Sequence, residues 1–525
     1  MVNIDTEKDI ERLRQVARLL SLENARLHER LQQLVAQLAD ARGEERGQLE
    51  LELGRLREQL ERQNRTLYGR SSERRTEPDQ TKKSKKEQPP QPGHGPTPQP
   101  ELPIVEVVEP LDPPDCTCPQ CGGQLAPMDG QFEEADEVDV VERSFRIVRR
   151  KRQKYTCRCG ACVETPLLAP RVVPGGRYSN AFAVAVAIAK YADHLPLARQ
   201  VGQMRRLGLK VTSQALWDQL WALYGVLAPS YEAVQDYVLS VAVIGADETT
   251  WPLMEKGKTT KCWAWAVCRT DAVFYLIQPT RSEAGAAAVL RDFSGTVIAD
   301  GYSAYTALRE TRARAYEQPG LPLPEGADAV TRPPPPFRIA NCWAHARRRF
   351  VDCEPNAPQV KEVLDLIRDL YAVEAEVREA GDDDLLGRLA HARATRSTPL
   401  VVRIFAWARA QVARPTSGLA TAIHYLVGHE AGLRVFLSDA RVDIDNNRTE
   451  RGMRGPAVGR RNHYGSKTER GTQVAALFYT LIESAKLAGL DPAAYLLEAT
   501  LRALANPGTV TLPRDLLAER HAASV

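Results

Sequence analysis

Neither sign of charge predominates in this chain: 70 Lys and Arg stand against 67 Asp and Glu, a net charge of +3. That balance excludes a polycationic coat, so any nucleic-acid contact has to come from a local patch. Long apolar runs are missing as well. The longest, Ala181 to Ala189, falls well short of the ~20 residues that a bilayer span needs. The first residues are charged and helix-like rather than a basic stub with an apolar core, so no secretory leader is expected. These absences lead us to expect a cytoplasmic protein. What is present fits a soluble globular composition, with 43% hydrophobic and 26% charged residues. A chain of 525 residues exceeds one core and implies about two to four domains. Of ten cysteines, six lie between Cys116 and Cys162. Such clusters in a reducing compartment favour metal over disulfides.

The organisation changes several times along the chain. Residues 8–70 read as a coiled coil that dimerises the protein: Leu13, Leu20, Leu27 and Leu34 recur at heptad spacing, and Asn24 occupies a matching a position. An amphipathic helix folded onto its own chain is the alternative. No basic region precedes these heptads, which argues against a basic-zipper factor. Residues 71–114, rich in Lys, Gln and Pro, form a linker too poor in apolar groups to order itself. Residues 115–170 hold the cysteines, and 178–235 read as helical around a turn at Gly208. The stretch from Leu197 to Trp221 fits a helix-turn-helix with Ser213 as cap, or a packed helical pair anchored by Trp217, Leu220 and Trp221. Residues 238–353 then alternate strand-like and helix-like runs. Three strands, a helix, a strand, then a strand leading into the basic helix AHARRRF give the succession of an RNase-H-like α/β core, completed by 441–470. Residues 354–440 read as a helical insertion, and 471–515 as a C-terminal helical region.

The cysteines carry the first chemistry. Cys118-Pro-Gln-Cys121 followed by two glycines is a zinc-ribbon knuckle, and 36 residues further on comes Cys157-Arg-Cys159-Gly-Ala-Cys162. Zinc takes four ligands in a tetrahedron, which two knuckles across a hairpin provide. Cys159 and Cys162 repeat the first spacing, while Cys157 competes as a ligand and Cys116 is spare. The basic run Arg143, Arg146, Arg149, Arg150, Lys151, Arg152 and Lys154 reads as a strand between the knuckles, available to DNA phosphates.

The acids carry the second. Asp247 closes the apolar run VAVIGAD, and Asp300 closes TVIAD before Gly301. Carboxylates ending two neighbouring buried strands repel one another unless a divalent cation lies between them. A third acid has to arrive on a later helix. Asp445-Asn446-Asn447-Arg448-Thr449-Glu450 reads as a helix start capped by Asn446, with Arg454 one turn on to brace Glu450 or bind phosphate. Arg448, Arg451, Arg454, Arg460, Arg461 and Lys467 surround Glu450 and are the candidate DNA contacts. Alternatively this is an ordinary solvated helix with ion pairs. His345, in Cys342-Trp-Ala-His345, could orient a scissile phosphate or Asp300, or be a structural histidine.

Several segments resemble transposases of the insertion sequence 66 family. LYGRSSERR, CPQCGG, YTCRC, ADETTW, ADGYSAY, NCWAHARRRF and DNNRTERGMRGPAVGRRNHYGS follow the family's order across most of the chain. The resemblance implies an Asp-Asp-Glu triad at Asp247, Asp300 and Glu450, two magnesium or manganese ions, double-stranded DNA as substrate, and accessory proteins of the same element. It also implies that a helical insertion fills the 150 residues between Asp300 and Glu450. The function expected is metal-dependent DNA cleavage and strand transfer, with one structural zinc. Two alternatives stay open: a metal-dependent nuclease of the same fold, and a non-catalytic zinc regulator that binds DNA.

Overall fold

A computed structural model describes Gln33 and residues 144–156, 163–164, 169–255, 257–317, 335–381 and 383–524. The chain divides into two units, Met1–Val140 and Val141–Val525, and the architecture below belongs to the second. The 8–70 heptads, the 71–114 linker and the cysteines from Cys116 to Cys162 lie outside the described residues.

Two short strands, β1 (Tyr155–Thr156) and β2 (Val163–Glu164), pair antiparallel on either side of the second cysteine cluster. Residues 144–154 have no regular structure, so the described part of the basic run, Arg146 to Lys154, is exposed and is not the expected strand. Three helices follow: α1 (Asn180–Tyr191), α2 (Leu197–Arg206) and α3 (Ser213–Leu239). Gly208 ends α2 at φ +82°, a left-handed value that glycine adopts without a Cβ penalty. Thr212, one residue earlier than expected, caps α3 by accepting from the Ala215 amide. The helix runs 27 residues and buries Leu216, Leu220, Leu223, Leu227, Val234 and Val238 in the main core. Its length and burial make it a core helix, and it takes in Val238 and Leu239, which the sequence pattern had assigned to the first strand.

The sheet has five strands: β3 (Val243–Glu255), β4 (Lys258–Cys268), β5 (Val273–Gln278), β6 (Thr296–Ala299) and β7 (Arg338–Asn341). Their order is β5-β4-β3-β6-β7. The first three are antiparallel; β6 and β7 join parallel to β3. Helix α4 (Glu283–Leu290) precedes β6, and α5 (Ser303–Glu317) lies between β6 and β7. The sequence pattern had merged the start of α5 into the strand at Thr296, yet two parallel neighbours need a crossover element.

Helix α6 (Trp343–Cys353) follows β7. Residues 354–440 are then mainly helical among those described: α7 (Val360–Glu379), α8 (Leu385–Ala392), α9 (Thr398–Ala410), α10 (Gly418–Gly428), α11 (Glu430–Leu433) and α12 (Val435–Ser438). They share a second core with α6 and β7, centred on Trp343, Phe350, Ile367, Phe405 and Phe436. Arg393, fully buried, forms a two-pronged ion pair with Glu374 at 2.7 and 2.8 Å and donates to the carbonyls of Phe436, Asp439 and Val442. These contacts satisfy a charge that burial alone would make very costly.

Helices α13 (Asn447–Gly452), α14 (Arg454–His463), α15 (Glu469–Leu487), α16 (Pro492–Ala505) and α17 (Pro513–Ser524) complete the chain. Helix α15 covers the outer edge of β5: the Thr480 and Ser484 hydroxyls accept from the Tyr275 and Val273 amides at 2.9 and 3.0 Å. An edge strand's unpaired donors are thus satisfied by a helix and closed to further pairing. Among the described residues no helix is long and apolar enough to cross a membrane.

Candidate active site

Asp247 lies on β3, the middle strand, and Asp300 directly follows β6. The parallel register pairs Gly245 with Ile298, so both acids stand two residues beyond one paired position. Asp247 does not end its strand as expected; β3 continues to Glu255, paired throughout with β4. It leaves its parallel neighbour β6 after Gly245, and that opening gives the Asp247 side chain its mouth. Each carboxylate is fixed by a nearby amide. Asp247 Oδ1 accepts from Glu248 N at 2.8 Å, and Asp300 Oδ1 from Tyr302 N at 2.9 Å.

Glu450 arrives on α13, which is seated on β3 by close contact. A Cβ on Gly245 would fall 2.0 Å from Thr449 Oγ1 and 2.6 Å from Asn446 Oδ1. Glycine is therefore required where helix meets strand. Asn446 does not cap α13 with its side chain; its Nδ2 donates instead to the Ala246 carbonyl at 2.8 Å. The Asn446 amide donates to Cys342 Sγ at 3.2 Å. Glu450 thus hangs from both β3 and the start of α6. The expected brace from Arg454 is absent: the helix breaks at Met453 and Arg454 begins α14, exposed. His345 takes that place, its Nδ1 lying 3.5 Å from Glu450 Oε1.

The electrostatics tie the three acids together. Burial pushes the Asp247 carboxyl up to about 8, and the negative charges of Glu248, Asp300 and Glu450 add to the push. The amide of Glu248 only partly opposes them. Glu248 itself is almost wholly buried; burial raises its carboxyl while Arg281, in a two-pronged pair at 3.1 and 2.7 Å, holds it down. Tyr305 donates to its other oxygen at 3.1 Å. A carboxylate group so crowded, with Glu450 Oε1 shielded and without a hydrogen-bond partner, suits a hard divalent cation that takes carboxylate oxygens and keeps waters. Among the described residues, the group whose ligand atoms all lie within 4.8 Å of one another is Cys342, His345 and Glu450; Asp247 and Asp300 stand outside it.

Three further residues bear on the site and went unseen in the sequence reading. Glu248 adjoins Asp247 but sits in a run that reads only as a strand end. Tyr425 and His429 belong to α10 and its end. The Tyr425 hydroxyl donates to the Asp300 carbonyl at 2.5 Å, and a Cβ on Gly301 would fall 2.6 Å from His429 Nε2. These contacts span more than a hundred residues of chain and leave no local signal.

The basic residues divide. Arg451, Arg454, Arg461 and Lys467 are exposed. Arg448 pairs with Asp443 at 3.4 Å. Arg460 turns inward and donates to the Thr249 and Thr250 hydroxyls at 2.8 and 2.9 Å, tying α14 to β3 just beyond Asp247.

Comparison with known proteins gives the class and then the family. Residues 115–160 match the zinc-finger binding domain of transposase IS66, a match that includes Cys157 and Cys159 and ends before Cys162. A zinc-finger segment of that kind places the chain among the transposases. Residues 175–474 match the family described as Transposase IS66 family, and the chain belongs to it. It is similar to Uncharacterized protein y4jD of Sinorhizobium fredii (strain NBRC 101917 / NGR234), 30% identical over 440 residues that cover 79% of this chain and 80% of the relative. Uncharacterized protein y4qI of the same strain is 31% identical over 418 residues, 76% of this chain and 72% of the relative.

Proposed function

We propose that this transposase cuts and joins DNA on an RNase-H-like core, with Asp247, Asp300 and Glu450 as the acids of its metal centre. The strand order β5-β4-β3-β6-β7, antiparallel then parallel, supports that core. The observation that carries the reading is electrostatic: the charges of Asp300 and Glu450, from separate parts of the chain, both bear on the buried Asp247 carboxyl.

Two magnesium ions, when bound, activate the attacking oxygen and stabilise the leaving one in an in-line displacement at phosphorus. Asp247, on the central strand, would supply one carboxylate to the ions. Asp300 and Glu450 would supply the other carboxylates, held in place by the Tyr302 amide and by the seating of α13 on Gly245. Arg451, Arg454, Arg461 and Lys467, exposed on and after α13, would supply phosphate contacts. Arg448 and Arg460 act from their ion pair and threonine contacts as supports of the same surface. The 144–154 basic segment and the zinc module, with Cys118, Cys121 and two of Cys157, Cys159 and Cys162 as ligands, would recognise the element ends. The 8–70 heptads would bring two protomers, and so two ends, together.

The test is magnesium-dependent cleavage of DNA carrying the ends of the element, wild type against Glu450→Gln. Nicking and joining in the wild type, and loss of both by at least about a hundredfold in the variant, are expected, since one charge of the metal cage is gone. Equal activity in the two proteins would remove the catalytic assignment.

A further inference from the structure

Cys342 and His345 stand three residues apart where β7 gives way to α6. Cys342 occupies the extended position before the first turn, and His345 falls within that turn. Glu450 comes from α13. The Cys342 sulfur, a His345 ring nitrogen and a Glu450 carboxylate oxygen all lie within 4.8 Å of one another. The nitrogen and the oxygen nearest each other, His345 Nδ1 and Glu450 Oε1, are 3.5 Å apart, too long for a hydrogen bond. Both atoms are closed off from solvent, and neither has a hydrogen-bond partner. Native structures seldom leave two facing polar atoms unpaired, and an ion between them is one explanation.

The sulfur has the surroundings of a metal thiolate. Cys342 is fully buried, and backbone amides of Asn446 and His345 hydrogen-bond its sulfur. Such amides stabilise charge on sulfur from outside the coordination shell. A thiolate, an imidazole and a carboxylate form a ligand set for zinc-type ions and a poor one for magnesium, which avoids sulfur.

We propose that Cys342, His345 and Glu450 form a second metal site, which takes a divalent transition ion of the zinc type and leaves its fourth position open. Binding displaces the thiol proton to solvent, so the site holds a thiolate, a neutral imidazole and a carboxylate. It shares Glu450 with the catalytic reading and otherwise stands apart from it. An ion held there takes Glu450 Oε1 and leaves the other carboxylate oxygen to the magnesium centre.

Cobalt(II) is the probe, counted on the full-length protein in excess magnesium, which keeps the hard carboxylate positions filled. Wild type is compared with Cys342→Ala and His345→Ala. Cobalt in the zinc module is common to all three and cancels. Each variant is expected to bind one cobalt fewer, and the difference spectrum against Cys342→Ala should carry a thiolate-to-cobalt charge-transfer band. Should Cys342→Ala, deep in the core, fail to fold, the half-buried His345→Ala still decides. An unchanged cobalt count in His345→Ala overturns the site. Asp247→Asn separates the two readings: it should lose magnesium-dependent cleavage and keep the full cobalt count. Cleavage retained in Asp247→Asn would refute the catalytic reading alone.

Discussion

Replacing Asp247 by Asn should make the magnesium-free protein more stable above neutral pH. Burial and three neighbouring carboxylates raise the Asp247 carboxyl from 3.8 to about 8. A group raised in the folded state takes up a proton there that the unfolded chain has already lost. The stability so gained is complete below pH 3.8 and lost as pH rises through about 8. The gap is roughly four pH steps at ~1.4 kcal/mol each, a ceiling of roughly 6 kcal/mol. Water at the open end of the site lowers this to about 2–4 kcal/mol. Asn keeps the shape and can still accept from the Glu248 amide, so little else is lost. Urea unfolding followed through the buried Trp251, Trp265 and Trp343 reads the effect. Without magnesium, wild type should weaken between pH 6 and pH 9 while Asp247→Asn stays nearly level. With magnesium, wild type should recover and the variant should not. If the variant is weaker than wild type at pH 9 without magnesium, the crowding of carboxylates is not the dominant charge effect in this core.

Gly245→Ala forces a methyl into Thr449 and Asn446, which should cost about 1–3 kcal/mol of stability and lower cleavage through the displaced Glu450; wild-type values in both assays would contradict the seating of α13. Burial and the nearby Lys190 and His194 charges depress the His463 imidazole to about 3. Its contribution is complete above about 6.5 and lost as pH falls towards 3, so about 2 kcal/mol should go between pH 7.5 and pH 5. His463→Asn should show a correspondingly smaller acid loss in urea unfolding. Arg393→Met leaves the buried Glu374 with only the longer Arg378 contact at 3.6 Å, at about 3–5 kcal/mol, while Arg393→Met with Glu374→Leu should regain most of that by thermal unfolding.

The parts legible in the sequence are those that neighbours in the chain determine. The order of strands follows from apolar runs, and Asp300 follows from a four-residue strand ending before glycine. Glu450 stands out because a single acid among arginines is unusual. Helix α5 was hidden because its first residues, Ser303, Ala304 and Tyr305, follow the strand after only Asp300, Gly301 and Tyr302, and Tyr302 and Tyr305 suit a strand as well as a helix. The exact length of β3 was hidden because Glu248, Thr249 and Thr250 look like a turn, yet Glu248 is neutralised by Arg281, and both threonines receive Arg460. Each of these partners lies at least thirty residues away, and Arg460 more than two hundred. Periodicity cannot report contacts of that kind.

The helical segment between Asp300 and Glu450 is built into the site and does not merely hang from it. Trp343 Nε1 donates to the Leu433 carbonyl at 2.9 Å, which pins α6 to α11. A Cβ on Gly432 would strike Asn341, so α11 lies against the end of β7. Tyr425 holds the Asp300 carbonyl, and Gly301, at φ +91°, leaves room for His429 where no side chain would fit. The backbone of Asp300 is therefore held by α10, while its carboxylate accepts from the Tyr302 amide. Asp247 is held by the sheet, Asp300 by this helical segment, and Glu450 by α13 on Gly245. If the proposed metal centre is built from these three acids, its geometry depends on the docking of all three units, and a change that loosens any one of them should lower cleavage.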